Sequence, residues 1–255
     1  MCISMRLIFL LLQCIMSQTL LIIPTYNEVD NISPLLKEIF RVLPAVHVLF
    51  VDDSSPDGTA TQIESFKVHY PEQIFLEVRK QKEGLGKAYV HGFQWALERN
   101  YDNIFEMDAD LSHPATALPQ MIEALDSGTD VIVGSRYLSG VNVVNWPIMR
   151  ILLSMGASIY VRLITALPIK DATAGFVGYK ATALSKLDLS ALAFVGYAFQ
   201  IEMKFKLWKK GCSLKEIPIV FVNREKGVSK MNSSIIWEAI YGVIYLKFES
   251  IYKRK

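Results

Sequence analysis

Cysteine is scarce in this 255-residue chain, and the three present, Cys2, Cys14 and Cys212, follow no regular spacing. An odd, irregular set argues against a disulfide framework and against a zinc site, and it suits a reducing compartment. An excess of charge of one sign is also missing. The 27 basic and 25 acidic residues leave a formal net charge of +2. No concentrated basic stripe accompanies it, which argues against nucleic acid as a partner. There is no internal repeat and no low-complexity tract. Apolar residues make up 51% and charged residues 20%, the composition of a packed core rather than a disordered chain. The length suffices for one large domain.

Long apolar runs are few. The first, Leu7 to Met16 behind Arg6, resembles a signal-peptide core, but no small-residue cleavage site follows. It also falls short of the ~20 apolar residues that a spanning helix needs. Residues 1–16 are therefore read as an N-terminal extension outside the fold, with Met16 as an alternative start. A membrane-surface segment and a true signal or anchor stay open. Residues 17–255 form the main domain.

What is present in the first half is alternation. Short apolar runs at Leu20 to Ile23, Val46 to Val51, Ile74 to Val78, Ile104 to Met107 and Val131 to Val133 read as strands. Helical patterns at Asn31 to Val42, Thr59 to His69, Lys87 to Arg99 and Ala115 to Leu125 separate them. Strands that are apolar throughout, alternating with helices, predict an α/β fold with a mostly parallel sheet covered on both faces. In the second half, Pro147 to Ala166 and Ser233 to Tyr252 read as long apolar helices, and Phe199 to Lys210 as a third helix. Phe176 to Tyr179 and Leu214 to Val222 read as strands.

Open parallel sheets bind ligands at the carboxyl ends of their strands. Here those ends carry Thr25-Tyr26-Asn27-Glu28, Asp52-Asp53, Asp108-Ala109-Asp110 and Ser135-Arg136. Asp108 and Asp110 would share a hard divalent cation, because Mg²⁺ takes one or two carboxylates together with phosphate oxygens and water. The competing reading is a solvated acidic turn. Asp53 is placed to face a base or ribose, Tyr26 to stack on a base and Glu28 to accept from one. Asn27, Asp57 and Thr59 have an alternative as helix caps. Gly84-Leu85-Gly86-Lys87 opens a helix and would point N–H groups at a phosphate, or simply make a loop-to-helix junction.

A second constellation is Arg136, Arg150 and Ser154. Arg150 and Ser154 stand four apart and share a helix face. An arginine in an apolar helix suits a phosphate gripped by a bidentate fork; snorkelling at a membrane edge is the alternative and fits Arg162 better. Arg224 and Lys230 would fold back over a diphosphate, or lie in an ordinary charged loop.

Seven runs in order then carry a resemblance. They are Ile23 to Glu28, Val51 to Thr59, Gly84 to Tyr89, Met107 to Pro114, Gly134 to Tyr137, Asp171 to Phe176 and the Arg224 to Lys230 loop. From about Thr19 to Phe248 the chain resembles the dolichol-phosphate (polyprenyl-phosphate) mannose synthases, inverting family 2 glycosyltransferases of the GT-A fold. It departs from that family at Ser54, where Gly is common, at Asn223, where Asp is common, and at Val228, where Glu or Asp is common.

The resemblance implies Mg²⁺ or Mn²⁺ on Asp108 and Asp110, and the nucleotide sugar on Pro24, Tyr26, Glu28, Asp53, Asp108, Arg224 and Lys230. It implies the lipid phosphate on Arg136, Arg150 and Ser154, with Asp108, Asp110, Arg136 and Arg150 as the catalytic set. GDP-mannose would be the donor and dolichyl or polyprenyl phosphate the acceptor. The place would be the cytosolic face of a membrane, endoplasmic reticulum or prokaryotic plasma membrane. The chain would sit there peripherally on amphipathic interface helices, with small membrane-embedded subunits as possible partners. A UDP-glucose-dependent enzyme and a non-catalytic module that binds nucleotide sugar or lipid phosphate remain alternatives.

Overall fold

The computed structural model describes residues 18–223 and 241–249. The extension at 1–16, Arg224 and Lys230 of the closing loop, and the ends of the Ser233 to Tyr252 helix lie outside the described residues. The part at 241–249 is helical.

Strand β1 (Thr19–Thr25) shows why the strands are apolar throughout. Successive side chains point to opposite faces of a sheet, and here both faces are covered. Leu20 and Ile22 join Leu49, Val51 and Ile104 in one apolar layer. Leu21 and Ile23 join Val48, Phe50 and Phe105 in the other. Each such side chain, fully buried, contributes roughly 1.5–3 kcal/mol.

The helices follow the same logic. In α1 (Val29–Val42) the buried residues Ile32, Leu35, Leu36 and Ile39 recur at helical spacing and pack into the second layer. Helices α2 (Thr59–Lys67) and α4 (Leu118–Asp126) lie on that side through Ile63, Leu118, Met121 and Leu125. The first layer is closed by α3 (Leu85–Glu98), with Ala88, Tyr89, Phe93 and Ala96. Gly86 is there for packing. A Cβ on it would come within 2.8 Å of the Phe199 ring, and its N–H donates to the Val195 carbonyl. The Gly-rich turn is thus a helix–loop junction, and one of its N–H groups is already used.

The main sheet runs β3-β2-β1-β4-β7-β5-β8, with β2 (His47–Asp52), β3 (Ile74–Val78), β4 (Asn103–Glu106), β5 (Val131–Ser135), β7 (Val177–Lys180) and β8 (Leu214–Pro218). Pairings β1–β2, β1–β4, β2–β3 and β5–β8 are parallel, while β7 is antiparallel to both β4 and β5. Six strands therefore end on one rim, and β7 begins there. That reversal brings the segment before β7, Asp171 to Phe176, to the same rim as Arg136.

The expected strand Leu214 to Val222 is two strands. After Pro218 the chain leaves the main sheet, and β9 (Phe221–Val222) pairs in parallel with β6 (Val143–Val144). Proline suits the end of an edge strand, since it has no N–H for a further ladder bond.

Helix α5 (Ile148–Thr165) follows β6. Its buried residues are Ser158, Val161 and Thr165. The short α6 (Ala181–Leu184), α7 (Tyr197–Lys209) and α8 (241–249) complete the α-helices among the described residues, beside two single 3-10 turns at Ala115–Ala117 and Leu189–Ala191.

Candidate active site

The rim is built from loops locked to one another. Asp52 is fully buried; its carboxylate accepts from Thr25 Oγ1 at 2.8 Å and from the N–H and hydroxyl of Ser55 at 2.8 and 2.6 Å. Asp57 accepts from the N–H groups of Val29 and Thr59, so one carboxylate serves the starts of α1 and α2. Burial alone would raise its pKa, but these hydrogen bonds outweigh it and hold the carboxyl below the usual range. Asp52 and Asp57 are thus structural. Ser54 sits at φ +55°, a conformation glycine adopts without strain, which accounts for glycine being common there in the family it resembles.

Asp53 has a partner that the sequence reading missed. The β2–β3 register sets Asp52 against Val78, so the next residues, Asp53 and Arg79, face each other. Arg79 Nε lies 2.6 Å from Asp53 Oδ1. Burial raises the Asp53 pKa, and Arg79 and Lys82 offset only part of that rise. The Lys82 ammonium lies 4.1 Å from the centroid of the Tyr26 ring. The expected stacking face of Tyr26 therefore carries a cation on one side. Glu28 accepts from Asn31 Nδ2 at 2.7 Å, and Pro24 lies in β1 opposite Val51. Arg79 was findable from the rim argument, because β3 ends on the same edge.

Asp108 and Asp110 leave the carboxyl end of β4. Asp110 Oδ1 accepts from Ser112 N–H and Oγ at 3.1 and 2.6 Å, which fixes its carboxylate. Asp108 Oδ1 accepts from the Tyr89 hydroxyl at 3.3 Å, and its N–H donates to His113 Nδ1 at 3.0 Å. No group of three or more His, Cys, Asp or Glu is gathered for a metal among the described residues. Two carboxylates at a rim would suit the protein share of a Mg²⁺ or Mn²⁺ site, since Mg²⁺ takes one or two carboxylates together with phosphate oxygens and water.

Arg136 directly follows β5 and is only 8% exposed. Its Nε and Nη2 reach the Asp171 carboxylate at 2.7 and 2.6 Å, and Nη2 also reaches Thr173 Oγ1 at 2.9 Å. The sequence reading gave Arg136 to the lipid phosphate; in the structure its guanidinium already has a protein partner, because a charge buried this deeply needs a counter-charge and Asp171 supplies it. Burial opposes ionisation of Asp171, yet the charge and hydrogen bonds of Arg136 hold its carboxyl below the usual range. Behind the pair, the buried Lys204 donates to the Ala174 carbonyl at 2.6 Å.

Arg150, on the first turn of α5, lies 4.0 Å over the Trp146 ring, and Arg136 lies 5.5 Å from the same ring. Arg150 Nη1 donates to Asn223 Oδ1 at 3.0 Å. Asn223 accepts without carrying a charge, unlike the aspartate common at that position. Ser154 lies near the Tyr137 hydroxyl, on which the Arg136 and Arg150 charges also act, and that hydroxyl is buried without a hydrogen-bond partner among the described residues. Arg136, Arg150 and Ser154 are therefore brought together, around Trp146 and Tyr137.

One ring joins the two halves. His113 stacks on Phe176 at 4.9 Å and meets Phe221 edge-on at 5.7 Å. Phe221 in turn touches Trp146 at 5.3 Å and lies 5.8 Å from the Arg136 guanidinium. Asp108 at one end and Arg136 and Arg150 at the other are thus linked through packed rings. Trp146 and His113 carried no sequence signal of their own beyond standing beside an expected helix and inside a quoted run.

The chain is 43% identical over 226 residues to a polyprenol monophosphomannose synthase of Mycolicibacterium smegmatis, covering 89% of this chain and 85% of that one. An undecaprenyl-phosphate mannosyltransferase of Micrococcus luteus is 42% identical, with 89% and 92% covered. A dolichol-phosphate mannosyltransferase of Pyrococcus furiosus is 36% identical, with 85% of this chain but 60% of that longer one covered. Among solved structures, a mannosyltransferase of Pyrobaculum calidifontis with GDP-mannose and Mn²⁺ superposes with a TM-score of 0.59 at 18% identity, covering 93% of this chain and 64% of that one. The glucosyl-3-phosphoglycerate synthase of Mycobacterium tuberculosis with Mn²⁺ and UDP superposes with a TM-score of 0.63 at 14% identity, covering 92% and 80%. At such identities these two share the fold, a GT-A-type α/β sheet. The family model for glycosyl transferase family 2 matches residues 20–188, and with relatives at this level of identity the chain belongs to that family.

Proposed function

We propose that this chain is a mannosyltransferase that moves mannose from GDP-mannose to the phosphate of a polyprenyl lipid, with inversion at the sugar. The names of the relatives support mannose and a polyprenyl phosphate. The observation that carries the reading is the joining of Asp108 to Arg136 and Arg150 through His113, Phe221 and Trp146, with Asp110 two residues on.

The acceptor is a phosphate monoester, whose second ionisation lies near pH 6, so it arrives largely as a dianion. No general base is needed to activate it, in contrast to transfer onto a sugar hydroxyl. Arg150 and Ser154 grip that dianion, and Arg136, held by Asp171, adds fixed positive charge beside it. Asp108 and Asp110 would hold Mg²⁺ or Mn²⁺, which would supply positive charge for the diphosphate of the leaving group. Asp53, Tyr26, Glu28 and Pro24 line the nucleotide end of the rim, with Arg224 and Lys230 as candidates to close over the donor.

The acceptor's tail calls for a membrane, and α5 suits one. It is the one helix, among the described residues, long and apolar enough to cross a bilayer by length and composition. Placed at 100° per residue, Ile148, Met149, Leu152, Leu153, Ile159 and Leu163 form an exposed stripe about 140° wide. Arg150 and Ser154 lie on the opposite side, with the buried residues. This arrangement suits a helix lying in the interface with its polar side toward the rim. We place the chain peripherally, at the cytosolic face.

The test is incubation with radiolabelled GDP-mannose, Mn²⁺ and a short polyprenyl phosphate, beside UDP-glucose and other donors. A mannosyl lipid formed from GDP-mannose alone is expected. Preferential use of UDP-glucose would replace the donor assignment, and no transfer from any donor would favour a binding module. Asp110→Ala is expected to abolish transfer; near-normal turnover would remove the metal role.

A further inference from the structure

His113 lies outside the groups given a role above, yet it is the residue most firmly attached to Asp108. Its imidazole is 4% exposed and is held between Phe176, at 4.9 Å and nearly parallel, and the edge of Phe221. A ring wedged in this way has one orientation. In that orientation Nδ1 accepts the N–H of Asp108 at 3.0 Å, so the proton of the neutral ring sits on Nε2. Nε2 then lies 3.9 Å from Asp108 Oδ2, while Oδ1 of the same carboxylate takes the Tyr89 hydroxyl. Asp108 is thus fixed at its backbone and bordered on both carboxylate oxygens, just where the chain leaves β4 for a turn with Leu111 at φ +63°.

We propose that His113 is a positioning residue for the cation site. It holds the Asp108 backbone, and through it the carboxylate, in the geometry that takes a divalent ion, and Phe176 and Phe221 hold the ring. This rests on the reading of Asp108 as a metal ligand. Groups that orient a metal ligand commonly contribute about 10–100-fold to metal affinity, although a histidine buried among aromatic rings is otherwise easily taken for core.

Two substitutions separate the hydrogen bond from the packing. His113→Phe keeps the stack on Phe176 and the edge on Phe221 but has no acceptor for the Asp108 N–H. His113→Asn restores an acceptor where Nδ1 stood and gives up the ring. Mn²⁺ binding to each variant in the presence of GDP is followed by the electron paramagnetic resonance signal of free Mn²⁺, with Asp108→Asn as the control. His113→Phe is expected to weaken Mn²⁺ binding about tenfold or more and to raise the Mn²⁺ requirement of transfer, with the KM for polyprenyl phosphate unchanged. His113→Asn is expected to recover most of the Mn²⁺ affinity, even where its melting temperature is the lower of the two. Wild-type Mn²⁺ affinity in His113→Phe, or an asparagine variant as weak as the phenylalanine one, overturns the proposal. Unchanged affinity in Asp108→Asn instead overturns the metal reading beneath it.

Discussion

A buried arginine is only as useful as the group that holds it, and at Arg136 that group is Asp171. The pair makes two hydrogen bonds of 2.6–2.7 Å in a site where Asp171 has no exposure. Asp171→Asn is expected to cost about 3–5 kcal/mol, as for other buried pairs broken on one side, measured by urea unfolding at pH 7. The sign of its pH dependence follows from the depressed carboxyl. The stability that Asp171 contributes is fully present above its unfolded pKa of about 3.9 and is lost as pH falls through the lower folded value. The gap between wild type and Asp171→Asn should therefore hold from pH 7 to pH 5 and close only in more acid solution. Arg150 presents a different case, since it stacks on Trp146 and donates to a neutral amide. Arg150→Ala is expected to raise the KM for polyprenyl phosphate at least about tenfold, the loss of one charge-assisted hydrogen bond. It should leave GDP affinity within about twofold, with calorimetry of GDP binding as the check. A parallel loss of GDP affinity would place Arg150 on the donor instead.

At the scale of elements, the strands and most helices were legible because their signal is local. A strand buried on both faces reads as an unbroken apolar run, as Leu20 to Ile23 does, and an amphipathic helix repeats near 3.6 residues, as Ile32, Leu35, Leu36 and Ile39 do. The direction of β7 was not legible, because a strand of four residues, Val177 to Lys180, looks alike run either way. Arg79 could be placed on the rim from the end of β3, but its pairing with Asp53 exists only through the β2–β3 register. The break in the Leu214 to Val222 run had a local cause in Pro218, but the partner strand that captured Phe221 is 78 residues earlier, at Val143. Helix α5 carries the prediction for this scale. Leu163 and Ile148 are 80% and 73% exposed, and burying each in the interface would contribute about 1.5–3 kcal/mol. Leu163→Glu, or Leu152→Glu, is expected to reduce sedimentation with anionic phospholipid vesicles at least about tenfold. Neither should lower the melting temperature, since neither side chain packs inside. Unchanged vesicle binding would move the membrane contact elsewhere, with the exposed Tyr241, Tyr245 and Phe248 of α8 the next surface to test.

Across the whole molecule, the candidate site is a property of topology. Six strands finish on one edge and β7 starts there, so the carboxylates that follow β2 and β4 and the arginine that follows β5 stand on one edge although they lie far apart in sequence. The sequence reading reached this convergence from the rule that parallel strands bind ligands at their carboxyl ends. It could not reach the contacts that bind the convergence together, such as His113 on Phe221 or Arg136 on Asp171, because each joins segments with no shared pattern. The direct measurement is the effect of bound Mn²⁺ on the ³¹P resonance of a short polyprenyl phosphate in the presence of GDP. The account predicts strong paramagnetic broadening of that resonance, absent with Mg²⁺ and lost in Arg150→Ala. A sharp acceptor signal beside fully bound Mn²⁺ would mean that cation and lipid phosphate occupy separate places, and the reaction drawn here would have no common site.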